Sequence, residues 1–273
     1  MLIKIINDIF AETVFNKASL ININFMLSKA QQKIITSLSR KKSRQKQGIF
    51  VAEGVKVIKE FLKSNYKLDT LLTTADIFSN QFIDNEKSIH FISVSELKKI
   101  SFLSTPQIAL ATFKIPDFKD VNFQNITLVL DGVRDPGNMG TIVRECDWFG
   151  VKNIVCSLDT VDCYNPKVVQ ASMGSLARIN VQYVDLHRFL SKQKDAILGA
   201  FLDGENIYTT SLPSNNNCFL ILGNEANGIS TEIEALVNHR ITIPRFGELR
   251  ETESLNVAMA GAILLSELRR REL

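Results

Sequence analysis

The chain has 273 residues, a formal net charge of +3, 45% hydrophobic and 22% charged residues, the proportions of an ordinary globular protein that buries a core in one large or two ordinary domains, which excludes wholesale disorder. No apolar run reaches the roughly 18 residues of a membrane span. The four cysteines (Cys146, Cys156, Cys163, Cys218) form no CxxC pair and have no histidine at ligand spacing, so free thiols in a reducing cytoplasm are expected and a metal centre is not.

In chain order, residues 1–25 resemble a secretion signal in their apolar content, but Lys4, Asp8 and Glu12 interrupt the apolar stretch and no small-residue cleavage site follows. They read as an N-terminal extension, or as the product of a start codon placed too early, with Met26 opening a cleaner helical pattern. LSKAQQKIITSL sets Leu27, Ile34, Ile35 and Leu38 on one helical face. Arg40 to Lys46 then carries five basic residues in seven positions, Arg40, Lys41, Lys42, Arg44 and Lys46. Between Met26 and Glu60 nine Lys/Arg face two Glu, a local +7 that leaves the rest of the chain at −4. Charge gathered in one segment marks an interaction surface, and a basic one suits nucleic acid or an anionic membrane. Beyond it, a strand at Ile49 to Val51 leads to a helix with Val55, Ile58, Phe61 and Leu62. KLDTLLTT (strand), ADIFSN (short helix), SIHFISV (strand), SELKKI (helix) and QIALATFK (strand) complete a small α/β domain over 26–114. Residues 115–125, with a proline and no period, read as a linker.

From 126 to 273 strands and helices alternate on a larger scale. ITLVL and FLIL are uninterrupted apolar strands, which implies burial on both faces of a parallel sheet. Isolated His90, His187 and His239 show no partner that would orient a catalytic imidazole. Three strand ends stand out instead. The first, DGVRDPGNMGTIVRECDWFG, opens a helix that buries Met139, Ile142, Val143, Cys146 and Phe149, with Asn138 or Gly137 placed to cap it and Arg144 off the buried stripe. Its glycines fit neither the GxGxxG nor the GxxxxGK[ST] phosphate loop. The second is FLILGNEANGIS. The third is ITIPRFGELRETESLNVAMAGAILL, whose helix is capped at Thr252 or Ser254. Three polar, glycine-bearing turns of this kind suggest one composite pocket lined by backbone groups.

Together these three segments resemble the signature motifs of the SpoU/TrmH-type RNA ribose 2′-O-methyltransferases of the SPOUT superfamily. Asn138, Gly140 and Arg144 match the first motif, Gly223, Asn224, Glu225 and Gly228 the second, and IPRFG with ESLNVAMAGAILLSE the third. YNPKVVQASMGS, between motifs, is also similar to the family, and 26–114 resembles the substrate-binding domain that many members carry. One departure is ELRET, between Gly247 and Glu253, three residues longer than the usual loop.

The resemblance implies an α/β fold: a C-terminal SPOUT domain with a parallel sheet and a trefoil knot, preceded by a small α/β RNA-substrate-binding domain. It implies S-adenosyl-L-methionine as cofactor, bound near Leu222, Gly223, Asn224, Glu225, Ile243, Leu255 and Asn256, and a homodimer, which the all-round apolar helix VAMAGAILL also asks for. The expected reaction is methyl transfer to a ribose 2′-hydroxyl of rRNA in preference to tRNA, the main alternative being an inactive RNA-binding or ribosome-assembly factor of the same fold. Arg144, Asn138, Glu225, Ser254 and Asn256 are the implied catalytic residues. A guanidinium has donors only, so Arg144 is expected to hold a substrate phosphate and orient the hydroxyl, with the proton passing to water or another group. Asn138 and Asn256 are expected to hold loops or ribose, Glu225 to accept hydrogen bonds, and Ser254 to cap a helix beside the site. Arg40, Lys41, Lys42, Arg44, Lys46 and Arg144 are the expected RNA contacts, since phosphate neutralisation supplies most sequence-independent affinity.

Overall fold

The computed structural model describes residues 27–78, 88–117, 123, 125–211, 217–247 and 254–273. The 1–25 extension, most of the 115–125 linker and the ELRET insertion lie outside the described residues.

Two sheets organise the chain. The small domain begins with α1 (Lys29–Ser37) and α2 (Lys41–Gln47), followed by β1 (Ile49–Glu53), α3 (Val55–Leu62), β2 (Leu68–Thr73), β3 (Ile89–Phe91), α4 (Val94–Ile100) and β4 (Ala109–Lys114). Its sheet order is β1-β4-β2-β3, antiparallel except for β2 with β3. Both α1 and α4 start in reciprocal capping boxes, Ser28 with Gln31 and Ser93 with Glu96. Glu96 also accepts from the Leu27 amide at 3.0 Å, which ties the first turn of α1 to α4. The basic run forms α2 and stops at Gly48, whose φ of +65° is the left-handed conformation that ends helices.

In the second domain come β5 (Ile126–Leu130), α5 (Pro136–Trp148), β6 (Asn153–Cys156), α6 (Pro166–Ala171), β7 (Asn180–Tyr183), α7 (Leu186–Leu190), β8 (Ala196–Asn206), β9 (Cys218–Leu222), α8 (Thr231–Glu234), β10 (His239–Thr242) and α9 (Val257–Arg270). The six strands are all parallel in the order β10-β8-β9-β5-β6-β7. β5, in the interior of the sheet, is buried at every residue, as its apolar run requires. Because the strands are parallel, the loops after β5 and β9 emerge side by side at one edge of the sheet, where α/β folds place ligands.

The domains share a core that runs from Phe50, Phe61 and Phe113 to Leu128, Cys156 and Val169. Polar ties reinforce this junction. The Phe50 and Tyr164 rings lie 4.7 Å apart, the Tyr66 and Tyr164 hydroxyls are 3.1 Å apart, and Arg178 pairs with both Glu60 and Asp147.

Four local expectations change. At Ala75–Phe78 the structure has bends rather than a helix. There the Thr73 hydroxyl donates to the Ala75 carbonyl and accepts from its amide, a side-chain alternative to helical hydrogen bonds. On α1, Ile35 and Leu38 are buried, whereas Ile34 faces out. α5 is capped by Asp135, with Pro136 as its first residue, and α9 by Asn256 rather than Thr252 or Ser254.

Candidate active site

The first loop is fixed by backbone pairing. The Asp131 amide donates to the Leu222 carbonyl at 2.9 Å, joining the ends of β5 and β9. Gly132 turns with φ +73°, and its amide reaches Ser157 Oγ at 2.9 Å. Asp135 accepts from the Asn138 amide at 2.8 Å. With the cap supplied by Asp135, the Asn138 side chain is released for other partners.

The second loop is a tight hairpin in which Asn224 and Gly228 exchange two backbone hydrogen bonds of 2.9 Å. A Cβ on Gly223 would sit 2.2 Å from the Gly228 carbonyl carbon, so only glycine allows the two backbone strands to approach this closely. Asn224 braces both loops: its Nδ2 donates to the Gly132 carbonyl at 2.6 Å, and its Oδ1 accepts from the Ala226 and Asn227 amides. Buried Asp131 accepts from the Ser230 amide at 2.7 Å on the far side of the hairpin.

The third loop enters through Asn256. Its Oδ1 accepts from the Ala258 and Met259 amides at 3.0 and 3.3 Å, as a helix cap must, so its Nδ2 points outward and donates to Asn138 Oδ1 at 2.9 Å. That acceptance turns Asn138 Nδ2 towards Glu225 Oε1, also at 2.9 Å. Each amide has one sense in this relay, since a reversed side chain would oppose donor to donor or oxygen to oxygen. Three segments distant in sequence are thereby locked at one point. The amino-terminal ends of α5 and α9 lie beside it and favour the carboxylate of Glu225.

Behind this node, α5 rests on α6 through Gly140. A Cβ there would lie 2.4 Å from Ala171 Cβ and 2.9 Å from the Val168 carbonyl. Farther along, α9 approaches through Gly261, where a Cβ would stand 3.0 Å from Leu222 Cδ1 and 3.4 Å from Glu145 Oε2. That oxygen of Glu145 is buried without a hydrogen-bond partner among the described residues. Burial pushes the carboxyl up to about 7, and adjacent Arg144 offsets only part of the shift.

The sequence profile of the SpoU rRNA methylase family matches residues 125–266. The chain belongs to the SpoU rRNA methylase family. A second profile, the MRM3-like substrate-binding domain, matches 29–111. The chain is similar to the 23S rRNA (guanosine(2553)-2′-O)-methyltransferase RlmP of Bacillus subtilis, 28% identical over 85% of this chain and 93% of that protein. Among solved structures, a TrmH-family protein from Porphyromonas gingivalis is 40% identical with a TM-score of 0.82, covering 90% of this chain and 99% of the other. The AdoMet-bound rRNA methyltransferase of Sinorhizobium meliloti is 27% identical with a TM-score of 0.80, covering 91% and 97%.

Within this SpoU domain, Asn138, Glu225 and Asn256 come together in one hydrogen-bonded group, with Asn224 beside them bracing the first and second loops. Exposed Leu255 and half-buried Ile243 are left with surface to offer, and Ser254 is exposed without capping the helix. Leu222 departs from expectation. It is closed off, its carbonyl is taken by Asp131 and its side chain lies on the Gly261 face of α9, so it forms the floor beneath the loops rather than a ligand-facing surface. Arg144 is exposed and lies six residues beyond Asn138 on α5, about 9 Å along the axis. Its donors make no hydrogen bond among the described residues. Of the basic run, Arg40, Lys41, Lys42 and Lys46 are exposed, and Lys41 Nζ stands 5.4 Å from the Tyr183 ring centroid.

Arg44 is the correction. It is 1% exposed and pairs with Asp162, Nε donating at 2.8 Å, while Nη1 donates to the carbonyls of Leu38 and Ser39 at 2.7 and 3.0 Å. It clamps the small domain to the loop after β6 and has no donor face left for RNA. Composition hid this, because α2 is polar throughout and only its packing distinguishes the one inward guanidinium. Asp131, Asp135 and Glu145 are site-supporting residues that the sequence pattern did not single out. Asp135 alone carried a signal, the Asp-Pro pair that opens many helices.

Proposed function

We propose that the chain transfers a methyl group from S-adenosylmethionine to a ribose 2′-hydroxyl of ribosomal RNA. The observation that carries this reading is the Glu225–Asn138–Asn256 relay, which joins the three loops at the carboxyl edge of the sheet. The S. meliloti neighbour binds AdoMet in the same overall fold. The tight Gly223–Gly228 hairpin, in which only glycine lets the two backbone strands close, sets a rigid polar loop beside the relay that suits such a ligand, with Gly223, Asn224, Glu225, Ile243, Leu255 and Asn256 as the residues to hold it. Held there, the cofactor would supply a sulfonium methyl for displacement by the 2′-oxygen, with the hydroxyl proton passing to water or a nearby base. The residues contribute arrangement, which is worth much of the barrier in such displacements. Arg144 holds the phosphate next to the target ribose, and Asn138 and Asn256 fix the loops around it.

The MRM3-like substrate-binding-domain match favours rRNA over tRNA, and the exposed lysines of α2 suit its phosphate backbone. A second copy covers exposed apolar side chains of α5 and α9, Trp148 at 85% and Met259 at 63% exposed, and the third motif threads the knot of the SPOUT fold. Four free cysteines and no described helix long and apolar enough to cross a membrane accord with a cytoplasmic enzyme. The experiment is transfer of labelled methyl from S-adenosylmethionine to rRNA of a strain lacking the gene, with Arg144→Ala alongside. Wild type labels one ribose, whereas the variant loses turnover and keeps cofactor binding. Absence of both cofactor binding and transfer in wild type would refute the assignment.

A further inference from the structure

A cleft of about 240 Å³ lies between the two domains, lined by Val51, Glu53, Phe102 and Leu103 of the small domain and by Lys167, Gln170 and Ala171 of α6. It is distinct from the three-loop site, yet only one helix away from it: Ala171, which lines the cleft, is also the residue packed on Gly140, two positions from Asn138. Its volume falls below the roughly 300–1,000 Å³ of sites that take drug-sized ligands, so it suits one flat ring system rather than a nucleoside with its phosphates. Its walls are apolar apart from one carboxyl at the base and an amide and an ammonium on the rim.

The carboxyl is built in. Glu53 is 5% exposed, and strand alternation puts it on the same face of β1 as Val51. Its Oε2 accepts from the Ser101 hydroxyl at 2.6 Å and its Oε1 from the Phe102 amide at 2.7 Å. Burial raises its pKa, and these two hydrogen bonds pull it back towards the ionised form. Each carboxylate oxygen keeps a second lone pair, so the group can accept one further hydrogen bond at each oxygen while Ser101 and Phe102 hold it in place. Phe102 offers a ring and Leu103 an apolar edge. Lys167 stands exposed at the mouth, two residues after the Asn165 cap, which accepts from its amide. The exposed Lys41 and Lys42 belong to the helix that Arg44 pins to Asp162, four residues before Pro166.

Single-stranded RNA is recognised by stacking splayed bases on aromatic side chains and hydrogen-bonding their edges. Among the four bases only guanine carries two adjacent donors, N1–H and N2–H, on one edge. We infer that the interdomain cleft between Glu53, Phe102 and α6 binds an unpaired guanine of the RNA substrate, a short distance along the strand from the ribose being methylated. Glu53 accepts from the guanine N1–H and N2–H, Phe102 and Leu103 cover its faces, and Lys167 meets the phosphate. The inference rests on the RNA-methyltransferase reading for its substrate class, and it adds a base preference at a subsite away from the reaction.

The test uses the full-length protein and short uridine oligonucleotides that carry one guanosine, inosine, adenosine or cytidine, with affinity read by fluorescence anisotropy. Guanosine should bind about tenfold more tightly than inosine, which lacks the 2-amino donor, and than the other two bases, in keeping with the discrimination of a bidentate contact. Glu53→Gln should erase that difference and leave cofactor affinity unchanged. Leu103→Trp keeps Glu53 and fills the slot from the loop, so the preference must vanish there too, including the case in which Glu53→Gln proves unstable. Equal affinity for all four oligonucleotides, or a guanosine preference that survives Leu103→Trp, would overturn the subsite. Because methyl transfer and cofactor binding are measured separately, a wild-type enzyme that methylates rRNA but shows no guanosine preference refutes the subsite alone.

Discussion

Replacing Arg44 by alanine separates two explanations of the basic run. The side chain is 1% exposed and its Asp162 partner 13% exposed, and the guanidinium also satisfies two main-chain carbonyls. Truncation leaves a partly buried carboxylate without its cation and the Leu38 and Ser39 carbonyls without donors. Breaking one half of a buried pair costs about 3–5 kcal/mol. Because Asp162 keeps some contact with water, the lower end, about 3 kcal/mol, applies. At about 2–4 °C per kcal/mol for a chain of this size, the melting temperature should fall by about 6–12 °C. Arg44→Met with Asp162→Leu, which removes both charges, should recover part of the loss. Lys42→Ala is the control: it is exposed, should move the melting temperature by less than about 1–2 °C, and should weaken RNA binding and flatten its salt dependence. Differential scanning fluorimetry and salt-titrated RNA binding read both properties. If Arg44→Ala melts with the wild type and loses RNA affinity as Lys42→Ala does, Arg44 is an RNA contact and the clamp argument is wrong.

Asn138→Ala removes the centre of the relay and leaves the Asp135 cap of α5 in place. Methyl transfer should fall about 100-fold, as loss of loop positioning does, with thermal stability within about 1 kcal/mol of wild type; unchanged turnover would show that the loops hold without it. Glu145 gives a pH test. Its folded-state pKa of about 7 lies above the ordinary 4.5, so the folded protein binds this proton more tightly than the unfolded chain does. The group's contribution to stability is therefore present below about pH 4.5 and is lost as pH rises towards and through 7. Glu145→Gln, which stays neutral, should melt above wild type at pH 8 and converge with it near pH 5. Parallel melting curves for the two proteins across that range would show that Glu145 finds a donor in solution.

How far the sequence reached depends on the kind of interaction. Period and punctuation are local, so the parallel strands ITLVL and FLIL, the α5 stripe of Met139, Ile142, Val143 and Cys146, and the turn at Gly223–Gly228 were all legible in the residues. Resemblance placed Asn138, Glu225 and Asn256 in one site although up to 118 positions separate them. Pattern could not say which amide faces which, because the sense of the relay follows from Asn256 capping α9, and that cap depends on where the helix starts in three dimensions. Nor could it distinguish Arg44 from Lys42, two neighbouring cations in one polar helix, since the partner that fixes Arg44 is Asp162 in the other domain.

The same division holds for burial. The sequence by itself determined the α/β alternation, the two-part organisation and the chemistry of the loops, because these rest on side-chain periodicity and on residue types with few conformational alternatives. Only the tertiary structure decided that Leu222 is floor and not wall, that Glu145 loses its water at the α5–α9 seam, and that Glu53 faces a cleft between domains. Each of these depends on which surfaces meet, and desolvation is a property of the meeting surfaces rather than of the residue.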